Sequence, residues 1–445
     1  MLLILLLILS VIFIVVSITK YNLHAFFALL ISAILFGLFA GMPLPEIVKS
    51  IETGFGGTIG KIGIVIIAGT VIGTFLEKSG GAFAMAEAIL KYIGRKSVSL
   101  AMAIVGYFVS IPVFADSGFV ILLPLTKALT KRAKLSLATT ALALAMGLIA
   151  SHTMMPPTPG PIAAAGILGA DLGMVILFGA PISFAVVIIG WLFAVKFASR
   201  IYIDADPEHS EEQISALVKE AGSPIKAFAP ILVPIFLIVL KSFADYPTHP
   251  FGTGFLANLF SFVGNPLIAL LIGVFLALLL PKKFDSKMLS ASGWVGEGLL
   301  TAAIIILITG AGGAFGKVLQ NSGIADVIGS QLSGFNIGLW LPFLIAAAIR
   351  AAQGSATVAI ITTASILAPL TASLGLDSGM AKTLMVLAIG AGSFVASHAN
   401  DSFFWIFTQM IKTDVRTGYK LMTLGSTVCG FSAALIIWAV SLIVL

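Results

Sequence analysis

Asp116 is the residue of this 445-residue chain whose type and position point most directly to chemistry. It interrupts an apolar stretch in a chain of which 59% of the residues are hydrophobic and only 10% are charged. An ionised carboxylate inside a bilayer is costly unless it is paired, hydrated or protonated, and such groups commonly carry protons or bind cations. We therefore expect Asp116 to be a proton-coupling residue; the alternative is a structural cap at a helix N-terminus.

Small and hydroxyl-bearing residues surround two polar points in the apolar sequence. Hydroxyl groups can bind a polar ligand, and a neighbouring glycine lets the backbone approach that ligand closely. Small residues also serve plain packing between membrane helices. We favour ligand contact, and the candidate substrate-binding residues of this type are Ser117, Gly118, Gly354, Ser355 and Thr357.

Arg350 lies four residues before Gly354 inside an apolar run. A guanidinium at membrane depth needs a negative partner, which would be an acid such as Asp116 or Asp401, or the carboxylate of a substrate. The forked donor geometry of arginine suits a carboxylate well. An arginine that reaches up to the membrane surface is the alternative.

A Ser-His pair occurs once in each half of the chain, and the residues that follow it differ. The first pair is followed by four prolines within residues 156–161, so we predict that the helix ends at His152 and breaks there. A histidine can bind an anion when protonated or relay protons, although near the end of a span it is more often structural. The candidates are His152 and Thr158 in the first half and His398, Asn400 and Asp401 in the second, with Asp401 a second proton-coupling candidate.

Two short motifs recur in the same order and at nearly the same offset, which indicates an internal duplication. Residues 76–80 resemble residues 319–323, and residues 150–152 are repeated at 396–398. In a membrane protein a duplicated half is typical of a transporter whose substrate site lies where the halves meet. We divide the chain into a first repeat at 1–199, a cytoplasmic linker loop at 200–226 and a second repeat at 227–445.

Hydropathy predicts an all-α polytopic membrane protein with five crossings in each half, since about 20 apolar residues span a bilayer. Two further apolar stretches, 98–129 and 336–369, are too long for one crossing and too short for two. Because their centres are polar or small, we predict re-entrant hairpins. The predicted crossings are 2–18, 23–41, 59–76, 135–151, 174–199, 227–243, 266–280, 298–316, 380–397 and 421–445.

The distribution of basic residues tests this topology. With the N-terminus outside, the cytoplasmic segments hold 19 of the 25 basic residues, as the positive-inside rule requires. Five crossings per half is an odd number, so the second repeat is predicted to be inverted relative to the first. The six basic residues on the outer side or within the membrane are Lys49, Lys61, Lys241, Lys317, Arg350 and Lys382.

Other function classes fit the sequence poorly. The net charge of +6 reflects cytoplasmic loops, so we expect the lipid bilayer and no nucleic acid as a partner. The lone Cys429 excludes an internal disulfide, and we interpret the apolar run after Met1 as a retained span. No Gly-x-Ser-x-Gly or His-Glu-x-x-His motif of a hydrolase occurs, and we predict no catalytic residue, cofactor or metal site. Homo-oligomerisation is left open.

A series of motifs carries a resemblance that extends over nearly the whole chain. In the first half the motifs are residues 54–60, 118–120, 123–125 and 156–161. In the second half they are residues 310–315, 322–323, 354–359, 397–401 and 404–405. This ordered combination resembles the gluconate permease family of proton symporters (GntP type), and it is more specific than any single motif.

The resemblance implies a multi-pass secondary transporter of the inner (plasma) membrane that imports a small sugar acid or related hydroxy acid with protons. It also implies the fold of the wider ion-transporter superfamily, with inverted repeats and paired hairpins. The hypothesised mechanism is alternating access about a midplane site. Arg350 and half-helix N-termini would attract the substrate carboxylate, and the residues with hydroxyl and amide groups would bind its hydroxyls.

Four residues bear on the choice of substrate. Gluconate-type members commonly have Glu followed by an apolar residue at Asp116-Ser117, and His at Thr158. Arg350, by contrast, is like the gluconate-type members and unlike the D-serine-type member. A shorter acid beside an added hydroxyl changes the pocket, so gluconate, glycerate, a ketodeoxy sugar acid and other aldonates all stay open. Sodium coupling is the alternative to protons, because the same carboxylates and carbonyls can hold a cation.

Overall fold

The structure is a computed structural model that describes residues 2–93, 97–205, 223–245, 250–324, 327, 338–399 and 401–445. The described residues form helices and the turns between them, and no strand occurs among them. Asn400 and most of the predicted linker, residues 206–222, lie outside the described residues. The prediction of an all-α membrane protein is confirmed.

The helices are numbered along the described part of the chain. In the first half they are α1 Leu2–Thr19, α2 Ala25–Phe39, α3 Leu44–Lys78, α4 Gly81–Ile93, α5 Val98–Val109, α6 Ala115–Ala133, α7 Leu137–Met154, α8 Pro159–Leu168 and α9 Leu172–Lys196. In the second half they are α10 Pro224–Ala244, α11 Phe255–Val263, α12 Pro266–Ala277, α13 Trp294–Asn321, α14 Trp340–Gln353, α15 Ala356–Leu367, α16 Gly379–Phe394, α17 Ser402–Met410 and α18 Val415–Val444.

The long helices α3 and α13 extend well beyond the crossings predicted within them. Helix α3 has 35 residues and α13 has 28, because glycines and charged residues with low hydropathy continue the helix on either side of the apolar centre. By length and composition, six helices of the described chain can cross a membrane, or seven if the bent pair α11–α12 counts as one span. The crossing predicted at 266–280 is the second arm of that pair, which is bent by 63°.

Both apolar stretches predicted as hairpins consist of two short helices separated by a break. Residues 110–114 separate α5 from α6, and Gly354 and Ser355 separate α14 from α15. The second break turns at Gly354, whose φ of +87° is unfavourable for any residue with a Cβ atom. The second break lies at its predicted polar centre, whereas the first lies just before Asp116, which belongs to the first turn of α6. The re-entrant course of both stretches stays a prediction.

The helix that carries His152 does not end there, which corrects the prediction from the proline cluster. Helix α7 continues to Met154, and α8 resumes at Pro159 after a break of four residues. A proline at the first position of a helix is well tolerated, because its missing N–H has no intrahelical partner there. The prolines therefore form the start of a second helix as well as the break.

Helices α3 and α13, which occupy equivalent places in the two predicted repeats, pack along each other. Gly54 lies against Gly313, and Val71 lies against Gly298, so the two helices are antiparallel. A Cβ atom on Gly54 would lie 2.5 Å from the carbonyl oxygen of Gly313, so the backbones touch. Antiparallel packing of equivalent helices is what inverted repeats require, although the inversion itself stays a prediction.

The second helices of the two predicted hairpins pack across the two halves. Helix α6 of the first half contacts α17 of the second, and α15 of the second half contacts α8 of the first. Helices α17 and α8 each follow a break in their own half, and each packs against a helix of the other half. These contacts bring several helix ends from both halves close together.

Candidate functional site

A cavity of about 570 Å³ lies where the breaks of the two halves meet. It is bounded by the starts of α6, α15 and α17, by the end of α14 and by one face of α13. Most of the candidate residues from both halves are brought together here. The lining includes Phe114, Asp116, His152, Thr301, Ile305, Ile308, Arg350, Gln353, Gly354, Ser355, Thr357, Asp401, Ser402 and Phe403.

Three helix N-termini face this cavity. At the start of α15, the Ser355 hydroxyl accepts a hydrogen bond of 3.3 Å from the backbone N–H of Val358. At the start of α17, a carboxylate oxygen of Asp401 accepts one of 3.1 Å from the N–H of Phe403. Other N–H groups of a first helical turn have no intrahelical partner, and together with the helix dipole they favour an anion.

Arg350, near the end of α14, is only 3% exposed and contacts residues of α16 and of the start of α17. Its Nη2 pairs with the Asp401 carboxylate, and its Nε donates a hydrogen bond of 3.0 Å to the carbonyl oxygen of Ser393. The structure thus selects Asp401, not Asp116, as its acidic partner. The buried Nη1 has no hydrogen-bond partner among the described residues, and Arg350 is one of the residues that line the cavity.

The two acidic residues have different surroundings. Asp401 is 5% exposed, and its carboxylate accepts from Arg350, from the Ser397 hydroxyl and from a backbone N–H. Asp116, in the first turn of α6, is partly exposed to the cavity and accepts one hydrogen bond of 3.1 Å, from the Ser402 hydroxyl. Asp401 is thus held in a buried ion pair, whereas Asp116 is partly exposed to the cavity.

The two histidines of the repeated motif are not equivalent. His152 lines the cavity, its ring lies 5.7 Å from that of Phe114, and its buried Nδ1 has no partner among the described residues. His398 lies outside the cavity lining, where its Nε2 is 2.8 Å from the carbonyl oxygen of Ala351 and its ring stacks on Tyr419. Only His152 is placed to contact a solute.

Three other predicted residues do not line the cavity. The Ser117 side chain lies beside Glu77, at the end of α3. Gly118 packs so tightly that a Cβ atom would lie 2.7 Å from the side chain of Leu148. Thr158 is 2% exposed, and its hydroxyl donates to the carbonyl oxygen of Met155 within the break.

Sequence reasoning missed Gln353, Ser402 and Thr301, which line the cavity. The side chain of Gln353 bridges the break: its Nε2 donates to the carbonyl oxygen of Ser355 at 2.5 Å, and its Oε1 accepts from the Ser355 N–H at 3.2 Å. A lone glutamine directly before Gly354 in an apolar run was a usable signal. Thr301 carries no such signal, because threonine is common in membrane helices and only the fold turns it toward the cavity.

The site offers anion-binding groups beside one accessible carboxylate. The guanidinium arm and the helix N-termini suit a carboxylate, while the hydroxyl groups, Gln353 and His152 suit the hydroxyls of a small polar molecule. Among the described residues, no three His, Cys, Asp or Glu side chains converge as they would to hold a metal ion.

The chain is similar to known permeases over nearly its whole length. The family model described as GntP family permease matches residues 1–443. A gluconate permease of Pseudomonas aeruginosa is 37% identical over 98% of this chain and 96% of its own length, and the Escherichia coli inner membrane permease YgbN is 36% identical over 97% and 96%. The efflux pump MtrF of Neisseria gonorrhoeae shares the fold with a TM-score of 0.64, at 16% identity over 88% of this chain and 83% of that one.

These matches extend over nearly the full length of the chain and of its relatives, and the apolar helices account for a multi-pass protein of the inner membrane. They confirm the resemblance that the ordered motifs carried, from the glycines of α3 to the residues around Asp401. The chain belongs to the GntP family of permeases.

Proposed function

We propose that this permease imports a small sugar acid, gluconate or a related hydroxy-carboxylate, by proton symport. The observation that carries the proposal is one cavity lined by Arg350, whose Nη1 has no hydrogen-bond partner among the described residues, by three helix N-termini and by the partly exposed Asp116. Gluconate permeases among the relatives support the substrate class. On this view the protein moves its substrate unchanged and is not an enzyme.

In the proposed cycle, the substrate carboxylate binds between Arg350 and the start of α15. Its hydroxyls contact Ser355, Thr357 and His152. An ionised Asp116 would repel the incoming anion, so substrate binds when this carboxyl carries a proton. After the site changes the side to which it is open, the higher pH of the cytoplasm removes the proton, and the restored negative charge favours release of the anion.

Sodium coupling and a hydroxy amino acid are the alternatives that the experiment must separate. The Escherichia coli D-serine transporter DsdX is 32% identical over 94% of this chain. Asp116 could hold a cation instead of a proton, and an amino acid would bring an ammonium group to the same carboxylate.

The test is uptake of radiolabelled gluconate by proteoliposomes that contain the purified protein. We expect accumulation with an inward proton gradient in sodium-free buffer, loss of accumulation with a proton uncoupler, and competition by aldonates or glycerate but not by D-serine. Accumulation that requires sodium would overturn proton symport, and competition by D-serine alone would overturn the substrate class.

A further inference from the structure

A second cavity, of about 330 Å³, lies between α3 and α13. Its lining includes Thr53, Gly57 and Lys61 from α3 and Gly313, Lys317 and Gln320 from α13. Lys61 and Lys317 are the only ionisable residues that line it in the described part of the chain. Nothing in the site described above uses this space.

The two cavities lie at opposite ends of α15. The start of α15 lines the site cavity, whereas Ala368 and Pro369, just after its end, line the second cavity. The 12 residues of α15 make a helix of about 18 Å. Between the cavities α13 packs on α15, where a Cβ atom on Gly312 would lie 2.3 Å from the Ser365 hydroxyl oxygen. This close contact lies at the edge of the second cavity, which Gly312 lines, and on the stretch of α15 between the residues that line the two cavities.

Glycines create the space in the second cavity. Gly54 and Gly313 hold the backbones of α3 and α13 in contact at its edge. One turn further along α3, a Cβ atom on Gly57 would have no heavy atom within 4 Å. The cavity is therefore open at Gly57 and is not a packing gap between large side chains.

The charge of this cavity is positive. The ammonium group of Lys317 donates a hydrogen bond of 2.9 Å to Gln320 Oε1, and in the described part of the chain no carboxylate forms an ion pair with Lys317 or with Lys61. Both lysines are among the six basic residues that the predicted topology places on the outer side or within the membrane. Two like charges in one concave surface raise the local concentration of anions.

We propose that this cavity, which we call the outer vestibule, is the entrance for the anionic substrate on the side opposite to the opening of the site cavity. Lys61 and Lys317 attract the carboxylate there before the α13–α15 contact rearranges to admit it. This proposal rests on the proposed function for the chemistry of the substrate, a small carboxylate.

Glutamine substitutions test the role of the charges. In proteoliposomes we expect Lys61→Gln and Lys317→Gln each to raise the KM for uptake from the outer side roughly threefold or more, to leave the maximal rate within about twofold, and to weaken the dependence of KM on ionic strength. Lys49→Gln and Lys382→Gln are the controls, because these residues share the predicted side but do not line the vestibule. Equal kinetics in all four variants would overturn the proposal.

A steric pair tests the path. Gly56 and Gly57 are neighbours on α3, and a Cβ atom meets nothing at either, but only Gly57 lines the vestibule. Gly57→Val is expected to slow uptake and Gly56→Val to leave it unchanged. Equal uptake by the two variants would argue against an entrance here.

Chemical labelling separates this proposal from the proposed function, because it needs no transport. The single native cysteine, Cys429, is buried. A thiol reagent is therefore expected to label only the cysteine introduced at Gly57. We expect Gly57→Cys to react from the outer side, and faster with an anionic than with a cationic methanethiosulfonate. Adding Lys61→Gln and Lys317→Gln should lower that ratio. The proposal is overturned if Gly57→Cys reacts from the cytoplasmic side only, or if the ratio of the two labelling rates is the same with and without the lysine substitutions. Either result would do so even if gluconate uptake is confirmed.

Discussion

Asp116 and Asp401 both stand at a helix N-terminus beside one cavity, yet they have different chemical roles available to them. Asp401 is surrounded by three donors and neutralised by Arg350, so protonating it would break a buried ion pair. Among the described residues, Asp116 accepts a hydrogen bond only from Ser402, and it lines the cavity. Of the two predicted proton carriers, the geometry favours Asp116.

Replacing Asp116 with Asn should abolish accumulation driven by a pH gradient while sparing exchange of labelled for unlabelled substrate. The amide cannot change its charge, so the cycle loses its coupling but retains a neutral, occupied site. Uptake and counterflow in proteoliposomes measure the two activities separately. Asp116→Glu is the matched control and should retain coupling; unchanged accumulation by Asp116→Asn would refute the assignment.

The main expected effect of Asp401→Asn is a loss of protein stability and not a specific loss of proton coupling. Removing one partner of a buried ion pair leaves an uncompensated charge and costs about 3–5 kcal/mol. A clear fall in the melting temperature of the detergent-solubilised protein is the expected result, whereas Asp116→Asn should melt close to the unmodified protein. A stable Asp401→Asn protein with lost coupling would instead make Asp401 the proton carrier.

The residues at the tip of the first hairpin show what a sequence can and cannot predict about a site. Polarity within an apolar stretch pointed to these residues, of which Asp116 lines the cavity, but successive residues of a helix point about 100° apart. Asp116 therefore faces the cavity, Ser117 faces Glu77, and Gly118 faces Leu148. Which of these neighbours faces the cavity depends on the residue at which the helix begins, and the sequence alone does not predict that residue precisely enough.

At the scale of elements, the breaks were predictable and the helices beyond them were not. Proline and glycine identify where a helix stops, so the breaks at residues 155–158 and at Gly354 lie close to the expected places. The same prolines also start α8, and nothing in hydropathy distinguishes a terminal break from an interrupted span. The bend between α11 and α12 was missed for a related reason, because both arms are apolar.

Gly354 offers a test of how a break positions ligand groups. Its φ of +87° lies in the region where a Cβ atom costs about 1–2 kcal/mol, so Gly354→Ala should shift the start of α15 or strain it. We expect a higher KM for uptake and a lower melting temperature. The control is Gly379→Ala at the start of α16, where an added Cβ meets nothing within 4 Å. Equal KM values for the two alanine variants would contradict a positioning role.

At the scale of the whole molecule, neither half of the chain contains a complete site. Asp116 and His152 come from the first half, and Arg350, Ser355 and Ser402 come from the second. The contact of α6 with α17 and of α8 with α15 brings them together. The repeated sequence motifs predicted a site between the halves, but the exchange of hairpin arms that builds it depends on packing between residues far apart in sequence.

Inversion of the two repeats can be tested with the motif that first revealed them. Ser79 and Ser322 occupy the same place in that motif, at the ends of α3 and α13, and both are partly exposed. Because α3 and α13 are antiparallel, a membrane-impermeant thiol reagent should reach Ser79→Cys from the cytoplasmic side and Ser322→Cys from the outside. The unmodified protein, with Cys429 buried, controls for background. Labelling of both positions from one side would exclude inverted repeats, since their equivalent ends must face opposite compartments.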